Sequence, residues 1–265
     1  MEKNEILEKL NKFNDPKFKF EEKEHKYTYG NDIEFISATT IAGFFKSPFD
    51  REGISKYVAE RDGRKQEDIL EEWDNKRIYS EELGTYIHEY IENYYNKIYQ
   101  KLPTDLDLID RINKFNKIHA EKLHKLEPIA FEKKVFDLEE NISGTIDALF
   151  MYKGKAIIVD WKTNKEIKTD EDRNGRYRHL INENFKNVYE NHLNIYSIQL
   201  SIYRRILEKA GIEVGACYIV YLPPKPLENG IIYKGKDFRD NLNKVFENKC
   251  STDLKKEYEE YEKQI

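Results

Sequence analysis

The chain has few cysteines, no long apolar run and no large charge excess, and each shortage excludes a class of protein. Its two cysteines, Cys217 and Cys250, exclude a disulfide scaffold and any four-cysteine zinc or iron–sulfur site built by this chain. No apolar run approaches the ~20 residues of a membrane-spanning helix. The net charge of −5, from 45 basic and 50 acidic residues, excludes a strongly basic protein that coats nucleic acid by charge alone.

Several sequence motifs of common enzyme classes are missing. There is no G-x-x-x-x-G-K-[ST] motif of a nucleotide-driven motor and no G-x-G-x-x-G motif of a dinucleotide site. His119 and His124 have no cysteine nearby, which argues against zinc. The charged start of the chain lacks the apolar stretch of a signal peptide, so we expect a reducing cytoplasm and no membrane partner.

Aromatic residues supply the bulk that a core needs. Nineteen Tyr and fourteen Phe add to an apolar content of 39%, and no repeat or linker divides the chain. We therefore predict a single domain over residues 1–265. Its parts are a mainly helical region over 1–127, a sheet core over 128–222 and a charged helical tail over 237–265. This order predicts an α/β (α+β) fold, with a central mixed sheet flanked by helices.

The helical patterns also predict where the longer helices lie. The strongest one begins near Ser80, with acidic residues in its first turn, where they favour the helix dipole. Another helix runs from about Asn191 to Lys209 and stops at Gly211.

The most informative segment is a predicted β-hairpin. Residues 144–152 and 155–162 alternate or run apolar as strands do, and residues 153–154 fit a two-residue turn. Such a turn fixes the register, and Asp147 then lies opposite Asp160. Two opposed carboxylates repel each other, so we expect positive charge between them.

One face of this hairpin carries a candidate catalytic set. Strand alternation places Lys162 on the face of Asp160 and points Trp161 the other way. Two carboxylate oxygens suit a hard divalent ion such as Mg²⁺ or Mn²⁺. Lys162 can then orient or deprotonate an attacking water, or stabilise a phosphate in the transition state. The alternative is a solvated face with an Asp160–Lys162 ion pair.

The hairpin resembles the PD-(D/E)XK nuclease superfamily, and the wider chain is similar to its RecB-like exonuclease branch. GTID, residues 144–147, supplies the first Asp, and VDWKT, residues 159–163, supplies D-x-K. That branch also carries G-x-x-x-H upstream, matched at residues 84–88, and Q-x-x-x-Y downstream, matched at residues 199–203. A weaker likeness to phage exonucleases and to the mitochondrial genome maintenance exonuclease spans roughly residues 35–222.

The resemblance implies a restriction-endonuclease-like core and a metal-dependent site without an iron–sulfur cluster. The implied Mg²⁺ or Mn²⁺ ligands are His88, Asp147, Asp160 and the backbone carbonyl of Trp161. The implied catalytic residues are Asp147, Asp160, Lys162, Gln199 and Tyr203.

The roles of the accessory residues follow from their positions. Gln199 and Tyr203 share a helix face. We expect Gln199 to steady Lys162 or a phosphate, and Tyr203 to stack or hydrogen-bond close by. Gly84 leaves space one turn before His88 for a strand or a substrate backbone.

Three acidic residues are left open by the sequence. Glu132 lies in the strand before the hairpin and either contacts the metal site or faces solvent. Glu89 and Glu92 are partners of His88 or solvated helix residues.

The resemblance implies a DNA exonuclease that hydrolyses phosphodiester bonds and leaves a 5′-phosphate. We expect single-stranded DNA ends as substrate, in replication, recombination or repair, with partner proteins of those processes. The alternatives are a structure-specific endonuclease, a catalytically silent nucleic-acid-binding module and a structural interaction protein. Richness in Lys, Asn, Ile and Tyr hints at a phage or bacterial source.

The charge distribution favours a local phosphate-binding groove. Residues 153–210 contain 12 basic and 8 acidic residues in a chain that is acidic as a whole. The basic residues expected near the site are Lys165, Lys168, Arg173, Arg176, Arg178, Arg204 and Arg205.

Overall fold

The structure is a computed structural model, and it describes residues 1–22, 24, 26–172 and 178–264. Among these residues, no helix combines the length and the apolar character needed to cross a membrane.

The N-terminal region begins with a helix and a small antiparallel sheet. Its elements in chain order are α1 (Lys3–Leu10), β1 (Phe18–Glu21), β2 (Lys26–Tyr29), β3 (Ile33–Glu34), β4 (Ile36–Ser37) and α2 (Ala38–Phe44). The strands β1, β2 and β3 form the small sheet, whereas β4 joins the central sheet. Ser37 ends β4 and caps α2, because its hydroxyl accepts the Thr40 N–H at 3.1 Å.

Three helices follow: α3 (Arg51–Asp62), α4 (Gln66–Tyr95) and α5 (Leu106–Glu121). The prediction that the strongest helix begins near Ser80 is wrong, because α4 begins at Gln66. Ile69 is buried in the first half of α4, and the next buried residue is Leu83, so the apolar period is missing between them. Ion pairs one turn apart, such as Lys76 with Glu72, and packing on α3 stabilise this half instead.

The rest of the chain builds the central sheet and its flanking helices. The elements are β5 (Glu127–Asp137), β6 (Ile142–Tyr152), β7 (Lys155–Lys162), α6 (His192–Lys209), β8 (Val214–Tyr221), β9 (Ile231–Lys234), α7 (Arg239–Val245) and α8 (Ser251–Glu262). The strands hydrogen-bond in the order β4-β6-β7-β8-β9. β4 and β7 pair with different stretches of one edge of β6, and β5 pairs along the opposite edge. The predicted helix over 191–209 is confirmed, with Asn191 as its N-cap.

The sheet is mixed, and both of its faces are covered. The strands β7 and β8 are parallel, as the crossover through α6 requires, while β6 pairs antiparallel with both β5 and β7. One face packs against α2 and α6, through residues such as Ile41 and Ile202. The other packs against α4 and α5, through residues such as Ile87 and Phe115. The predicted α/β fold with a central mixed sheet is confirmed.

Candidate active site and metal centre

The predicted hairpin register is confirmed from Tyr152–Lys155 to Ala148–Val159. The predicted Asp147–Asp160 pair lies one step beyond the last paired residues, where the two strands separate and the site begins. Tyr152 pairs with Lys155 across the two-residue turn, and the ladder ends at Ala148 and Val159. Both turn residues have positive φ, 50° at position 153 and 74° at position 154, as the tight hairpin turn requires. Beyond the ladder, the edge of β6 that faces β7 is open until β4 pairs at residues 142–143.

We call the place where β6 and β7 separate, next to Asp147 and residues 160–162, the fork. The carboxylate of Asp147 lies in it. Its Oδ2 accepts the Trp161 N–H at 2.8 Å, so a side chain replaces the backbone partner that a continued ladder would give. Burial raises the pKa of Asp147, and the neighbouring His88 opposes that rise. The Asp147 carboxylate is therefore oriented by β7 while facing the imidazole of α4.

Asp160 and Lys162 share one face of β7, as alternation predicts. The Lys162 Nζ lies 2.8 Å from Asp160 Oδ2, and Trp161 packs on the opposite face against Phe115. Asp160 is only 2% exposed, and neither of its carboxylate oxygens accepts a hydrogen bond of good geometry among the described residues. A buried carboxylate in that state is poorly solvated and suits a cation as a further partner.

The ionisation of this pair follows from burial and charge. Burial raises the pKa of Asp160 to about 6, against the attraction of Lys162 and with the repulsion of Asp147. Burial alone lowers the pKa of Lys162, but Asp160 and Asp147 outweigh it and raise that pKa above its ordinary value. Lys162 therefore carries its proton at neutral pH.

His88 reaches the fork from α4. Its Nδ1 lies 3.6 Å from Asp147 Oδ2 and 3.4 Å from Glu132 Oε1, and its Nε2 lies 3.2 Å from the Trp161 carbonyl oxygen. Burial lowers the pKa of His88, but the carboxylates of Asp147 and Glu132 outweigh it and raise the pKa to about 9. The imidazolium therefore places positive charge beside Asp147 and Glu132, while Lys162 supplies the positive charge beside Asp160. The sequence predicts that charge between Asp147 and Asp160, and the two cations stand beside one carboxylate of that pair each.

Glu132 is the site residue that the sequence left open. It lies on β5, on the far edge of β6, and the ladder between the two strands skips the Glu132–Asp147 position. Its φ of 44° lies in the left-handed region, which is costly for a residue other than glycine. This local distortion accompanies a side chain directed at His88 rather than into a regular sheet.

The donor set suits a hard divalent cation. In the described part of the chain, ligand atoms of His88, Glu132 and Asp147 all lie within 4.8 Å of one another. Asp160 lies outside that group, is ion-paired with Lys162, and interacts electrostatically with both Asp147 and His88. One imidazole nitrogen with several carboxylate oxygens and a backbone carbonyl is a donor set that Mg²⁺ or Mn²⁺ accepts. The residues present therefore fit a divalent ion.

Gln199 and Tyr203 are close to this fork but bond to each other. The Gln199 Nε2 donates to the Tyr203 hydroxyl at 3.2 Å, and both side chains are buried. Tyr203 packs on Gly144, where a Cβ would lie 2.7 Å from the ring carbon Cε1. The structure thus gives Gln199 a bond to Tyr203 rather than to Lys162, and its contact with a phosphate stays a prediction.

Tyr196 is a neighbour of Lys162 that the sequence did not assign to the site. Its ring centroid lies 4.7 Å from the Lys162 Nζ, and its hydroxyl donates to Asn164 Oδ1 at 2.9 Å. The available signal was its position one helical turn before Gln199, on nearly the same face of α6.

A cavity of about 750 Å³ opens on the site. Its wall includes Glu89 and Glu92 of α4, so both lie near the site that the sequence associated with them. Further lining comes from the small N-terminal sheet (Phe20, Tyr27), from the turn after β1 (Glu22), from β5 (Glu132, Lys134), from β6 (Gly144, Thr145, Asp147) and from α6 (Gln199, Tyr203).

Part of the predicted basic groove is committed to ion pairs. Arg204 lies 2.9 Å from Glu208, and Arg205 lies 2.5 Å from the buried Glu140, so both serve structural networks. The predicted Arg173 and Arg176 lie outside the described residues.

Comparison with known families agrees with this geometry. Residues 55–262 match the family model of the PD-(D/E)XK nuclease superfamily, a range that contains every motif residue of the fork. No curated protein gives a significant match to the chain. The match covers well over half of the chain, and the mixed sheet between helices is the restriction-endonuclease-like fold that the resemblance implied. The chain therefore belongs to the PD-(D/E)XK nuclease superfamily, whose members generally use divalent metal ions.

Proposed function

We propose that this nuclease is a Mg²⁺- or Mn²⁺-dependent DNA exonuclease of the RecB-like branch, acting from single-stranded ends and leaving a 5′-phosphate. The supporting observation is the convergence of separate elements on one fork. His88 comes from α4, Glu132 from β5, Asp147 from β6, and Asp160 with Lys162 from β7. The metal ligands we propose are His88, Asp147, Asp160 and the Trp161 carbonyl, with Glu132 added.

When bound, the divalent ion would polarise the phosphate and lower the pKa of a bound water. The protein's own residues hold that centre in place. The Trp161 N–H orients the Asp147 carboxylate, and the distorted backbone at Glu132 directs a second carboxylate at His88. The imidazole must be unprotonated to bind a metal, so ion binding displaces its proton.

Lys162 acts in this proposal as a donor rather than as a base. Asp160 and Asp147 keep its pKa raised, so the ammonium retains its proton and orients the attacking water or stabilises the charge that develops on the phosphate. We propose that Gln199 and Tyr203 hold the strand of Asp147 in place, through the contact of Tyr203 with Gly144.

The cavity supports a single strand as substrate. Phe20 and Tyr27 line it with aromatic rings 4.4 Å apart, and the Lys134 Nζ lies 5.3 Å from the Phe20 ring. Aromatic rings and a lysine are what unpaired nucleotides bind, since bases stack and phosphates attract cations. The acidic Glu22, Glu89 and Glu92 repel phosphates, which confines a bound backbone to the metal side of the cavity.

The wider proposals concern the domain and the cell. We propose that residues 1–265 form a single domain, since β4 pairs with β6 and the Ser251 N–H of α8 bonds the Glu140 carbonyl at 2.9 Å. We also propose a phage or bacterial origin and a cytoplasmic role in DNA replication, recombination or repair with partner proteins, on the resemblance alone.

The test is digestion of end-labelled linear and circular single-stranded DNA with Mg²⁺ or Mn²⁺. The wild-type protein should degrade the linear DNA from its ends and leave the circle intact. Asp147→Asn and Lys162→Ala should lose cleavage while folding normally, and Asp32→Asn, in an exposed turn, should cleave like the wild type.

Each contrary result has a definite meaning. Cleavage of the circle would identify an endonuclease. If the wild type and its variants all bind DNA without metal and none of them cleaves it, the protein is a silent binding module. Either this result or cleavage of the circle would contradict the proposal.

A further inference from the structure

We propose that Tyr196 is a positioning residue for Lys162, holding its ammonium group against an aromatic face beside Asp160. This inference rests on the proposed function, because it assigns Tyr196 a part in the same reaction. The observation that carries it is the placement of the Lys162 Nζ between two partners, 2.8 Å from Asp160 Oδ2 and 4.7 Å from the Tyr196 ring centroid.

The ring is a stronger partner for Lys162 than an exposed ring would be. A cation within ~6 Å of a ring centroid is attracted by the negative face of the ring, most strongly when water is excluded. The Lys162 side chain is 18% exposed and Asp160 only 3%, so little water competes for the ammonium. Lysine has a long flexible side chain, and two partners restrict it to one direction.

The hydroxyl of Tyr196 attaches the ring to the same strand end. It donates to Asn164 Oδ1 at 2.9 Å, two residues after Lys162 along the chain. The ring itself stands on α6, whose N-terminus is fixed by the Asn191 side chain accepting the Asn194 N–H at 2.9 Å. Tyr196 therefore joins α6 to the end of β7 and fixes the ammonium relative to both.

Steady-state cleavage by variants of position 196 tests this role. Tyr196→Leu removes the ring and should lower kcat by ~10- to 30-fold with little change in KM, the equivalent of a desolvated cation–π contact. Tyr196→Phe keeps the ring and should stay within ~3-fold of the wild type, the scale of one modest hydrogen bond.

Tyr152→Leu is the matched control, because the Lys153 Nζ lies 5.3 Å from its ring at the exposed hairpin turn. It should cleave like the wild type. Wild-type kcat in Tyr196→Leu, or an equal loss in Tyr196→Phe and Tyr196→Leu, would overturn the proposal and leave the nuclease function standing.

A second measurement tests the same inference without cleavage data, and it applies if Tyr196→Leu fails to fold or if the wild type is inactive. The NMR resonances of the Lys162 ε-methylene, assigned by comparison with Lys162→Arg, should show an upfield ring-current shift in the wild type. Tyr196→Phe should keep that shift. A Lys162 resonance at the ordinary lysine position in the wild type would overturn the inference even if the protein cleaves no DNA, whereas an inactive protein with the shift would contradict only the proposed function.

Discussion

The contact of Gly144 with Tyr203 gives the sharpest test of how the motif residues depend on one another. A Cβ on Gly144 would lie 2.7 Å from Cε1 and 2.9 Å from the hydroxyl oxygen of Tyr203, whereas non-bonded heavy atoms prefer ~3.5 Å or more. The site is buried, and neither a central strand nor the helix carrying Tyr203 can move freely. We therefore expect Gly144→Ala to lower the free energy of unfolding by ~1–3 kcal/mol, the cost of overpacking a core.

The sign of the change in unfolding free energy distinguishes a steric clash with Tyr203 from the intrinsic preference of the strand backbone for alanine over glycine. Alanine in place of a strand glycine without such a contact would stabilise the fold by ~0.5–1 kcal/mol. Urea unfolding in EDTA measures the difference, and Gly43→Ala, with no atom within 4 Å of its Cβ position, should raise stability on propensity grounds.

A double-mutant cycle assigns the penalty to the ring. In a Tyr203→Leu background, Gly144→Ala should cost far less than in the wild type, giving a coupling energy of ~1 kcal/mol or more. A Gly144→Ala protein as stable as the wild type, or an undiminished penalty in the Tyr203→Leu background, would refute this account of the two motifs.

Two further predictions concern α4. Gly84→Ala should stabilise the helix by up to ~1 kcal/mol in urea unfolding, since its Cβ would meet Thr163 Oγ1 at an ordinary 3.5 Å. If a substrate backbone passes through the space beside Gly84, the added methyl group should lower cleavage although the fold is more stable. Unchanged cleavage would contradict the expectation that Gly84 leaves room for the substrate. In EDTA, the raised pKa of His88 stabilises the fold fully below about pH 6.5, and this contribution of at most ~3 kcal/mol is lost as the pH rises through about 9. Unfolding in urea from pH 6 to 10 should show that loss in the wild type, and an equal loss in His88→Gln would contradict it.

The hairpin could be derived from the sequence because its turn has only two residues. A turn of that length fixes the pairs up to Ala148–Val159, so counting placed Asp147 and Asp160 at the adjoining ends of the two strands. The separation of the strands at that point, which removes the Asp147–Asp160 pair from the ladder, did not follow from counting. The helix of Gln199 was equally accessible, because Asn191 marks its start and the apolar period is strong.

Glu132 could not be placed in the same way. The connection between β5 and β6 has four residues, Leu138–Asn141, which leaves the register open. The positive φ at Glu132 also departs from the alternation on which strand arguments rest. Its place beside His88 is a property of the folded sheet and not of any local pattern.

The burial of two cationic side chains on α5 also could not be predicted from the sequence. Arg111 and Lys114 are 4% and 3% exposed, although charged residues on a helix usually face solvent. Arg111 donates to the Thr163 carbonyl at 2.9 Å, and Lys114 donates to the Pro223 carbonyl at 2.9 Å. They bind backbone groups just beyond the ends of β7 and β8, and this partnership exists only after the sheet has formed.

The most direct test of the metal centre is Mn²⁺ binding followed by the EPR signal of the free ion. The wild-type protein should bind Mn²⁺, and Glu132→Gln and Asp147→Asn should weaken binding by ~10-fold or more. Glu127→Gln, a matched change on the exposed end of the same strand, should bind like the wild type. Failure of the wild type to bind Mn²⁺, or equal binding by the Glu132→Gln and Glu127→Gln proteins, would contradict the account.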